Sequence, residues 1–501
     1  MEFKVLGKTL YSEDLVSGLI VFLVALPLCL GIALASGAPL FSGIIAGIVG
    51  GIVVGTLSGS HLSVSGPAAG LTAIIVTQLD ALNGNYQAFL VSVVLAGVIQ
   101  IVFSVLKLGA FANYIPNSVI IGLLAGIGLM LIIGQIPLLF GLDRLNQLNA
   151  QMLDHPFDIG SAIIGIFSLI FILVWDSSKF KKLPIPSMLI VIILAGLLNF
   201  LFIQSNSSLI IFDENLINLP QILNSHEKLF FFPDFSFLNS SQIYIGAFTL
   251  AIIASLETIL NLEAADRMDP YKRTSPPNRE LFAQGIGNTF SGFIGGMPIT
   301  SVIVRSSINA TSGSKTKFSA ITHGLLLIIA VLFLTPLLNY VPLSTLAAIL
   351  LLTGYKLSKP ELFINFYKKG WKQFLPFITT VIIIVTVDLL VGVIFGIAVS
   401  LTFILYYNLQ SGIHTSYEIN PNGNTTHIQL LSHVSFLNRA MLSKALSKVK
   451  ENEYVIVDAS QINEIDPDLY IVIEDFKKDK AKLKNITMQI IGCKKNSFEM
   501  L

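Results

Sequence analysis

Residues 295–313 read GGMPITSVIVRSSINATSG, and residues 63–79 read SVSGPAAGLTAIIVTQL. Each opens with small residues and one proline, Pro298 and Pro67, and then runs for less than the ~20 apolar residues that cross a hydrocarbon core. They hold corresponding places in the two halves of a long apolar region, which is the pattern of paired half-helices in inverted-repeat transporters. Kinked packing helices are the competing reading of the glycines and prolines alone. In the half-helix reading the two N-termini face each other at mid-membrane, where free N–H groups and the positive dipole ends form an anion site. Arg305 is expected about two helical turns into the second segment. An isolated guanidinium at that depth costs on the order of 2.5–3.5 kcal/mol, so something negative accompanies it. That partner is either an acid such as Glu257, in a structural ion pair, or an anionic substrate. Glu257 and Asn261 are four residues apart and share one helix face. An isolated buried carboxylate is unfavourable, so three readings stand for Glu257: it carries a proton, pairs with Arg305, or holds a sodium ion.

The surrounding chain sets these segments in a bilayer. Of 501 residues, 53% are apolar and only 12% are charged, and the mean hydropathy is +0.76; no soluble domain of this size hides that much apolar surface. The net charge is +1 and the basic residues are spread among loops, so no nucleic-acid partner is expected. Cys29 and Cys493 give neither a disulfide framework nor metal-type spacing. The seven histidines, His61, His155, His226, His323, His414, His427 and His433, form no i,i+4 pair and are expected in loops or at helix ends. No GxxxxGK[ST] segment suggests ATP-driven pumping, and no Ser/His/Asp arrangement suggests an enzyme. No cofactor is expected beyond a coupling ion, and no metal beyond sodium.

Roughly fourteen apolar segments of spanning or half-spanning length are expected, at 15–36, 40–59, 65–79, 86–109, 116–139, 160–176, 184–204, 243–263, 281–296, 299–312, 318–339, 342–355, 374–390 and 391–410. With the N-terminus inside, this number of spans puts Lys179, Lys181, Lys182, Arg267, Lys272, Arg273, Arg279, Lys356, Lys359, Lys368, Lys369 and Lys372 in cytoplasmic loops. The opposite loops carry Asp143, Asp154, Asp158, Asp213, Glu214, Glu227 and Asp234. Both termini are then cytoplasmic. Residues 1–411 form the membrane domain, and residues 412–501 form a small cytoplasmic α/β domain with strands at HIQLLSHVSFLN, YVIVDAS and ITMQIIGC and helices at RAMLSKALSKVK and DLYIVIEDFKKDKAKL. The run PNGN at 421–424 reads as a turn after a further strand, TSYEI. Gly43, Gly47, Gly51, Gly55 and Gly59 recur every four residues and form a ridge for close packing within one protomer or, less simply, at a dimer face.

Several stretches resemble the SulP family of anion transporters, related to the eukaryotic SLC26 proteins. They are DLVSGLIVFLVALPLCLGIALASG at 14–37, SVSGPAAGLTA at 63–73, NRELFAQGIGN at 278–288, GGMPITSVIVRSS at 295–307 and PLSTLAAILLLTGYKL at 342–357. The resemblance implies a polytopic α-helical membrane protein with a seven-plus-seven inverted repeat, a core domain moving against a gate domain, a homodimer in the cytoplasmic (inner) membrane, and a cytoplasmic STAS domain. By the same resemblance the anion sits near Ser65, Gly66, Ala68, Thr300, Ser301, Val302 and Ile303, Arg305 supplies positive potential, and Phe22, Pro27 and Leu28 line the access route. Sulfate-transporting members carry glutamine where Leu28 stands, which moves the expectation toward bicarbonate. Sodium-dependent bicarbonate members carry aspartate and threonine where Glu257 and Asn261 stand, and threonine where Ile303 stands. Proton coupling through Glu257 therefore stands beside sodium coupling. STAS domains that are phosphorylated carry serine or threonine after an aspartate at a strand end; here the run is Asp466, Pro467, Asp468, which fits a scaffold or dimer-contact role.

The expectation is a secondary active transporter of a small inorganic anion, bicarbonate slightly ahead of sulfate, with sulfate or a dicarboxylate as alternatives. An anion channel, or a non-transporting sensor signalling through the STAS domain, is the alternative class. An uncharged nucleobase fits less well, because it needs no guanidinium.

Overall fold

The computed structural model describes residues 2–5, 8–109, 115–142, 158–178, 186–220, 230–411, 413–420, 423–431, 434, 436–461 and 466–492. Lys179, Lys181, Lys182, Asp143, Asp154, Glu227, His155, His226, His433 and Cys493 lie outside the described residues. The chain divides into two compact units, Met1–Ile397 and Ala398–Leu501.

In the first unit an antiparallel hairpin, β1 (Glu2–Val5) and β2 (Lys8–Tyr11), precedes α1 (Ser12–Ser36). Helix α2 (Leu40–Val49) continues through a π turn at Gly50–Val54 into α3 (Gly55–Leu57). Strand β3 (Ser65–Pro67) leads through a 3-10 turn at Ala69–Leu71 into α4 (Thr72–Ala81). Then come α5 (Tyr86–Val105), α6 (Asn117–Leu139), α7 (Ile159–Ser177), α8 (Ser187–Gln204), α9 (Ser241–Met268) and α10 (Pro277–Phe293). Strand β4 (Ile299–Ser301) opens into α11 (Ile303–Thr311), followed by α12 (Phe318–Phe333), α13 (Thr335–Leu338), α14 (Leu343–Leu357), α15 (Pro360–Lys368) and α16 (Trp371–Thr386), and α17 (Leu389–Ser411) begins in this unit and carries the chain across the boundary after Ile397.

The order of apolar segments is the expected one. Among the described residues eight helices are long and apolar enough to cross a bilayer, and shorter apolar helices lie at Ala69–Ala81, Phe318–Phe333 and Trp371–Thr386. Many large side chains on the helix surfaces are exposed and apolar, such as Ile170, Leu173 and Val174 on α7 and Ile193 and Leu197 on α8, as lipid contact requires. Several details depart from the sequence reading, and among them His414 and His427, expected in loops or at helix ends, lie within strands. Residues 65–67 and 299–301 are extended rather than helical. His323 is fully buried within α12, not at a helix end. The amphipathic α15 was not anticipated; its Phe366 stacks on Phe377 of α16 with ring centroids 4.5 Å apart.

The glycine ridge explains how α2 lies so close to its neighbours. A side-chain carbon at Gly43 would strike the Cys29 carbonyl of α1; one at Gly47 would meet Cys29 and Leu327; one at Gly51 would meet Gly324 and Ala320 of α12. The ridge is therefore packed inside this chain. On the other side of the unit, α6 packs against α14 and α16, and α5 packs against α9 and α10.

In the second unit β5 (Ile413–Asn420), β6 (Gly423–Leu430), β7 (Tyr454–Asp458) and β8 (Thr487–Ile491) form one sheet in that order. β5 and β6 are antiparallel, with Asn420 opposite Gly423, and the other two pairs are parallel. Pro421 and Asn422 of the expected turn lie outside the described residues. Strand β6 ends at Leu430, earlier than the expected strand through Asn438. Helices α18 (Arg439–Ser447), α19 (Pro467–Asp475) and α20 (Ala481–Leu483) complete the unit. Ile428, Leu430, Leu442, Leu446, Val455, Val457, Leu469 and Ile473 form its core. Asp466 caps α19 by accepting from the Asp468 N–H at 3.0 Å.

Gly51→Val should lower folding stability by about 1–3 kcal/mol, because it overpacks a helix contact. Gly134→Ala should be neutral, since nothing lies within 4 Å of its side-chain position. Thermal unfolding of the detergent-purified variants checks this, and equal midpoints would show that the ridge is not packed.

Candidate functional site

The two prolines create the site. Proline offers no N–H and holds the residue before it out of helix, so Pro67 and Pro298 keep their segments extended. Extended backbone inside a membrane must find partners, and these two segments find each other. β3 and β4 pair antiparallel, with Ser65 opposite Ser301, Gly66 opposite Thr300, and Pro67 opposite Ile299. The following helices, α4 with ten residues and α11 with nine, are too short to span at 1.5 Å per residue. The half-helix reading thus holds over the kinked-helix one.

Polar side chains from three helices clamp this crossing. Asn288 of α10 donates to the Ile299 carbonyl at 3.0 Å and accepts from the Ile299 N–H at 2.5 Å. Gln284 donates to Ser65 Oγ at 2.7 Å. Asn261 of α9 donates to the Ser301 carbonyl at 2.5 Å, and Asn309 of α11 donates to the Leu62 carbonyl at 3.0 Å. Ser63 and Ser301 share a hydrogen bond of 2.6 Å.

Both half-helices start without a side-chain cap, from extended Ala68 and Val302. The first N–H groups of a helix have no acceptor within it. Leu71 N–H returns to the Ala68 carbonyl and Ser306 N–H to the Val302 carbonyl, so the open donors are those of Ala69, Gly70, Ile303, Val304 and Arg305. Among the expected site residues, Val302 spends its N–H on the Val64 carbonyl at 2.9 Å, and Ser301 spends its own on Thr258 Oγ1 at 3.3 Å. Ser65, Gly66, Thr300 and Ser301 build the crossing, while Ala69, Gly70 and Val304, which the sequence reading omitted, join Ile303 in offering free donors. The start of the helical run after each proline break was the available signal.

Arg305 lies in the first turn of α11, nearer the crossing than the expected two turns, and it is fully buried. Its Nη2 donates to Cys29 Sγ at 3.3 Å, while Nε and Nη1 have no partner among the described residues. The guanidinium fills the space that a side chain at Gly66 would occupy. Glu257 does not pair with it among the described residues. The Glu257 carboxyl instead packs against Gly70, beside Thr300, with Oε2 unpartnered. Glu257 and Asn261 open onto a narrow pocket completed by Ile253 and Leu260 of α9 and Leu123, Leu124 and Ile127 of α6. Phe22, Pro27 and Leu28 all lie on α1 and are buried, with Pro27 inside the helix. A larger cavity of about 250 Å³ lies between α1, α4, α6 and α16, lined by Ala35, Thr72, Val76, Met130, Gln135 and Val385 among others.

Around the helix ends a polar frame holds these elements. Asp14 of α1 is fully buried and accepts from the N–H groups of Lys315 and Thr316 at 2.7 and 2.9 Å. Arg273 forks onto Asp269 at 2.6 and 3.2 Å and donates to the Lys315 carbonyl at 2.9 Å. His61, in the loop before β3, is held below its ordinary pKa by partial burial and by Arg273, so it stays neutral near pH 7.

The sulfate permease family matches this chain over residues 11–380. The chain is 27% identical over 417 residues to the bicarbonate transporter BicA of Picosynechococcus sp., covering 79% of this chain and 71% of that protein. It is 23% identical over 515 residues to the sodium-independent sulfate anion transporter of Bos taurus, covering 95% and 84%. Its fold matches the inward-facing structure of the murine Solute Carrier 26 family member A9 anion transporter with a TM-score of 0.78 at 16% identity, over 99% of this chain and 87% of that one. The C-terminal β/α unit is consistent with a STAS domain. The chain therefore belongs to the sulfate permease family, a family of multi-pass membrane transporters rather than enzymes.

Proposed function

We propose that this protein is a secondary active transporter of a small inorganic anion, bicarbonate ahead of sulfate, that works by alternating access. One observation carries the reading: Arg305 is fully buried beside two uncapped half-helix starts, with two guanidinium nitrogens unpartnered. A cation in such a place creates a strong positive potential, and the open N–H groups of Ala69, Gly70, Ile303 and Val304 supply hydrogen bonds without further charge. The residues Ser65, Gly66, Ala68, Thr300, Ser301, Val302 and Ile303 frame the anion. Phe22, Pro27 and Leu28 line its route, and Leu28 offers no polar group there, which favours the smaller and less highly charged bicarbonate.

Glu257 couples the cycle. Its carboxyl sits at the same half-helix start that receives the anion, and two negative groups at one dipole end repel each other. A proton or a sodium ion on Glu257, with Asn261 beside it, removes that repulsion, so anion and cation bind together. The core domain then slides against α6 and its neighbours as the gate. The membrane domain comprises residues 1–411 and the STAS domain 412–501, the protein acts as a homodimer in the inner membrane, and both termini are cytoplasmic. Sulfate is the second reading, favoured by the similarity to the bovine sodium-independent sulfate anion transporter.

Proteoliposomes should take up labelled bicarbonate saturably, with sulfate a weak competitor, under a sodium or a proton gradient imposed separately. Anion binding without uptake would mark a sensor, and currents beyond carrier turnover would mark a channel. Arg305→Ala should weaken anion binding by roughly tenfold to a hundredfold, the size of a charge-assisted hydrogen bond; unchanged affinity in titration of the purified protein would sink this role. Glu257→Gln should equilibrate anion but no longer respond to either gradient, and a variant that still accumulates anion would refute coupling at Glu257.

A further inference from the structure

The motif NRELFAQGIGN lies on α10 and supplies the clamps at Gln284 and Asn288, but the function proposed above gives no role to Glu280 or to its contact with Gln284. Both are fully buried. Ser58 Oγ donates to Glu280 Oε2 at 2.5 Å, and the Gly59 N–H donates to the same carboxylate. Gln284 Nε2 lies 3.2 Å from Glu280 Oε1 and 2.7 Å from Ser65 Oγ. The carboxylate is thus surrounded by donors, at the first turn of a helix whose dipole favours negative charge.

This arrangement decides how Ser65 behaves. An amide nitrogen has two hydrogens and no free acceptor site, whereas the amide oxygen only accepts. With Glu280 Oε1 as an acceptor, the Gln284 oxygen is disfavoured beside it and the nitrogen is favoured, so the nitrogen faces both Glu280 and Ser65. Ser65 Oγ must then accept from Gln284, and its own hydrogen is directed elsewhere. The neighbouring hydroxyl of Ser301 is already engaged with Ser63. With the amide turned the other way, Ser65 would donate to Gln284 and have no hydrogen for a ligand.

We propose that Gln284, held in one orientation by Glu280, is a positioning residue that fixes the Ser65 hydroxyl as a donor to the oxygens of the transported anion. This rests on the reading of the β3–β4 crossing as an anion site.

The test uses full-length protein in proteoliposomes, with labelled bicarbonate and labelled sulfate uptake measured for Gln284→Leu, Ser65→Ala, the double variant and Glu280→Gln. Gln284→Leu and Ser65→Ala should each raise KM by roughly fivefold to tenfold, about one hydrogen bond, with maximal rate within about twofold of wild type. The double variant should be no worse than Ser65→Ala alone, because Gln284 acts only through the Ser65 hydroxyl. Additive KM effects, or a lower maximal rate at unchanged KM, would overturn the inference. If Gln284→Leu does not fold, Glu280→Gln decides: a raised KM supports the inference and an unchanged KM overturns it. Wild-type vesicles that take up neither anion overturn the anion-site reading and this inference with it, whereas failure in the variants alone overturns only the inference.

Discussion

Everything in the membrane unit depends on one requirement: six residues of extended backbone, Ser65–Pro67 and Ile299–Ser301, must satisfy their polar groups where no water is available. They do so by pairing with each other and by accepting amide clamps from α9 and α10. That solution fixes where α4 and α11 begin, and so fixes where uncapped helix starts concentrate positive potential. It also sets the glycine requirement at residue 66, because the guanidinium of Arg305 fills the side-chain space there. Gly50 is constrained in the same way, since a side chain on it would collide with the Ser65 carbonyl.

The charges at this crossing are arranged by separation rather than by pairing. Arg305 contacts Gly66 of β3 and Cys29 of α1, and Glu257 contacts Gly70. A direct ion pair would have neutralised both groups and left a structural bridge with little field. Keeping them on different partners leaves each with unsatisfied capacity, Nε and Nη1 on one and Oε2 on the other. Buried polar atoms without partners are costly, and they persist where a function uses them.

Much of the architecture was legible because hydropathy and span length are strong constraints in a bilayer. The order of segments, the short third and tenth elements, and the alternation of strand and helix after residue 412 all followed from apolar runs and breaker residues. The strands β3 and β4 were not legible in that way, because three-residue elements leave no periodicity; only Pro67 and Pro298 signalled them. The clamp by Asn288 and Gln284 was visible as a motif but not as contacts, since their partners lie more than a hundred residues away or across a proline break. The first-turn position of Arg305 followed from where Val302 stopped being extended, a boundary that sequence reading locates only to within a turn. The interior position of His323 was not legible because isolated histidine spacing says nothing of burial; in α12 the Ala320 carbonyl lies 3.2 Å from its Nδ1.

The pairing of β3 with β4 also bears on biosynthesis. Ser63 and Ser301, which share a hydrogen bond beside the pair, are separated by 238 residues of chain. Until residue 301 has left the ribosome, β3 has no strand partner, and α4 is a short helix whose leading backbone is unsatisfied. The first half of the membrane unit is therefore inserted in an unfinished state, and it closes only when the second half supplies its strand. A truncation anywhere before β4 leaves the third segment without its native strand partner.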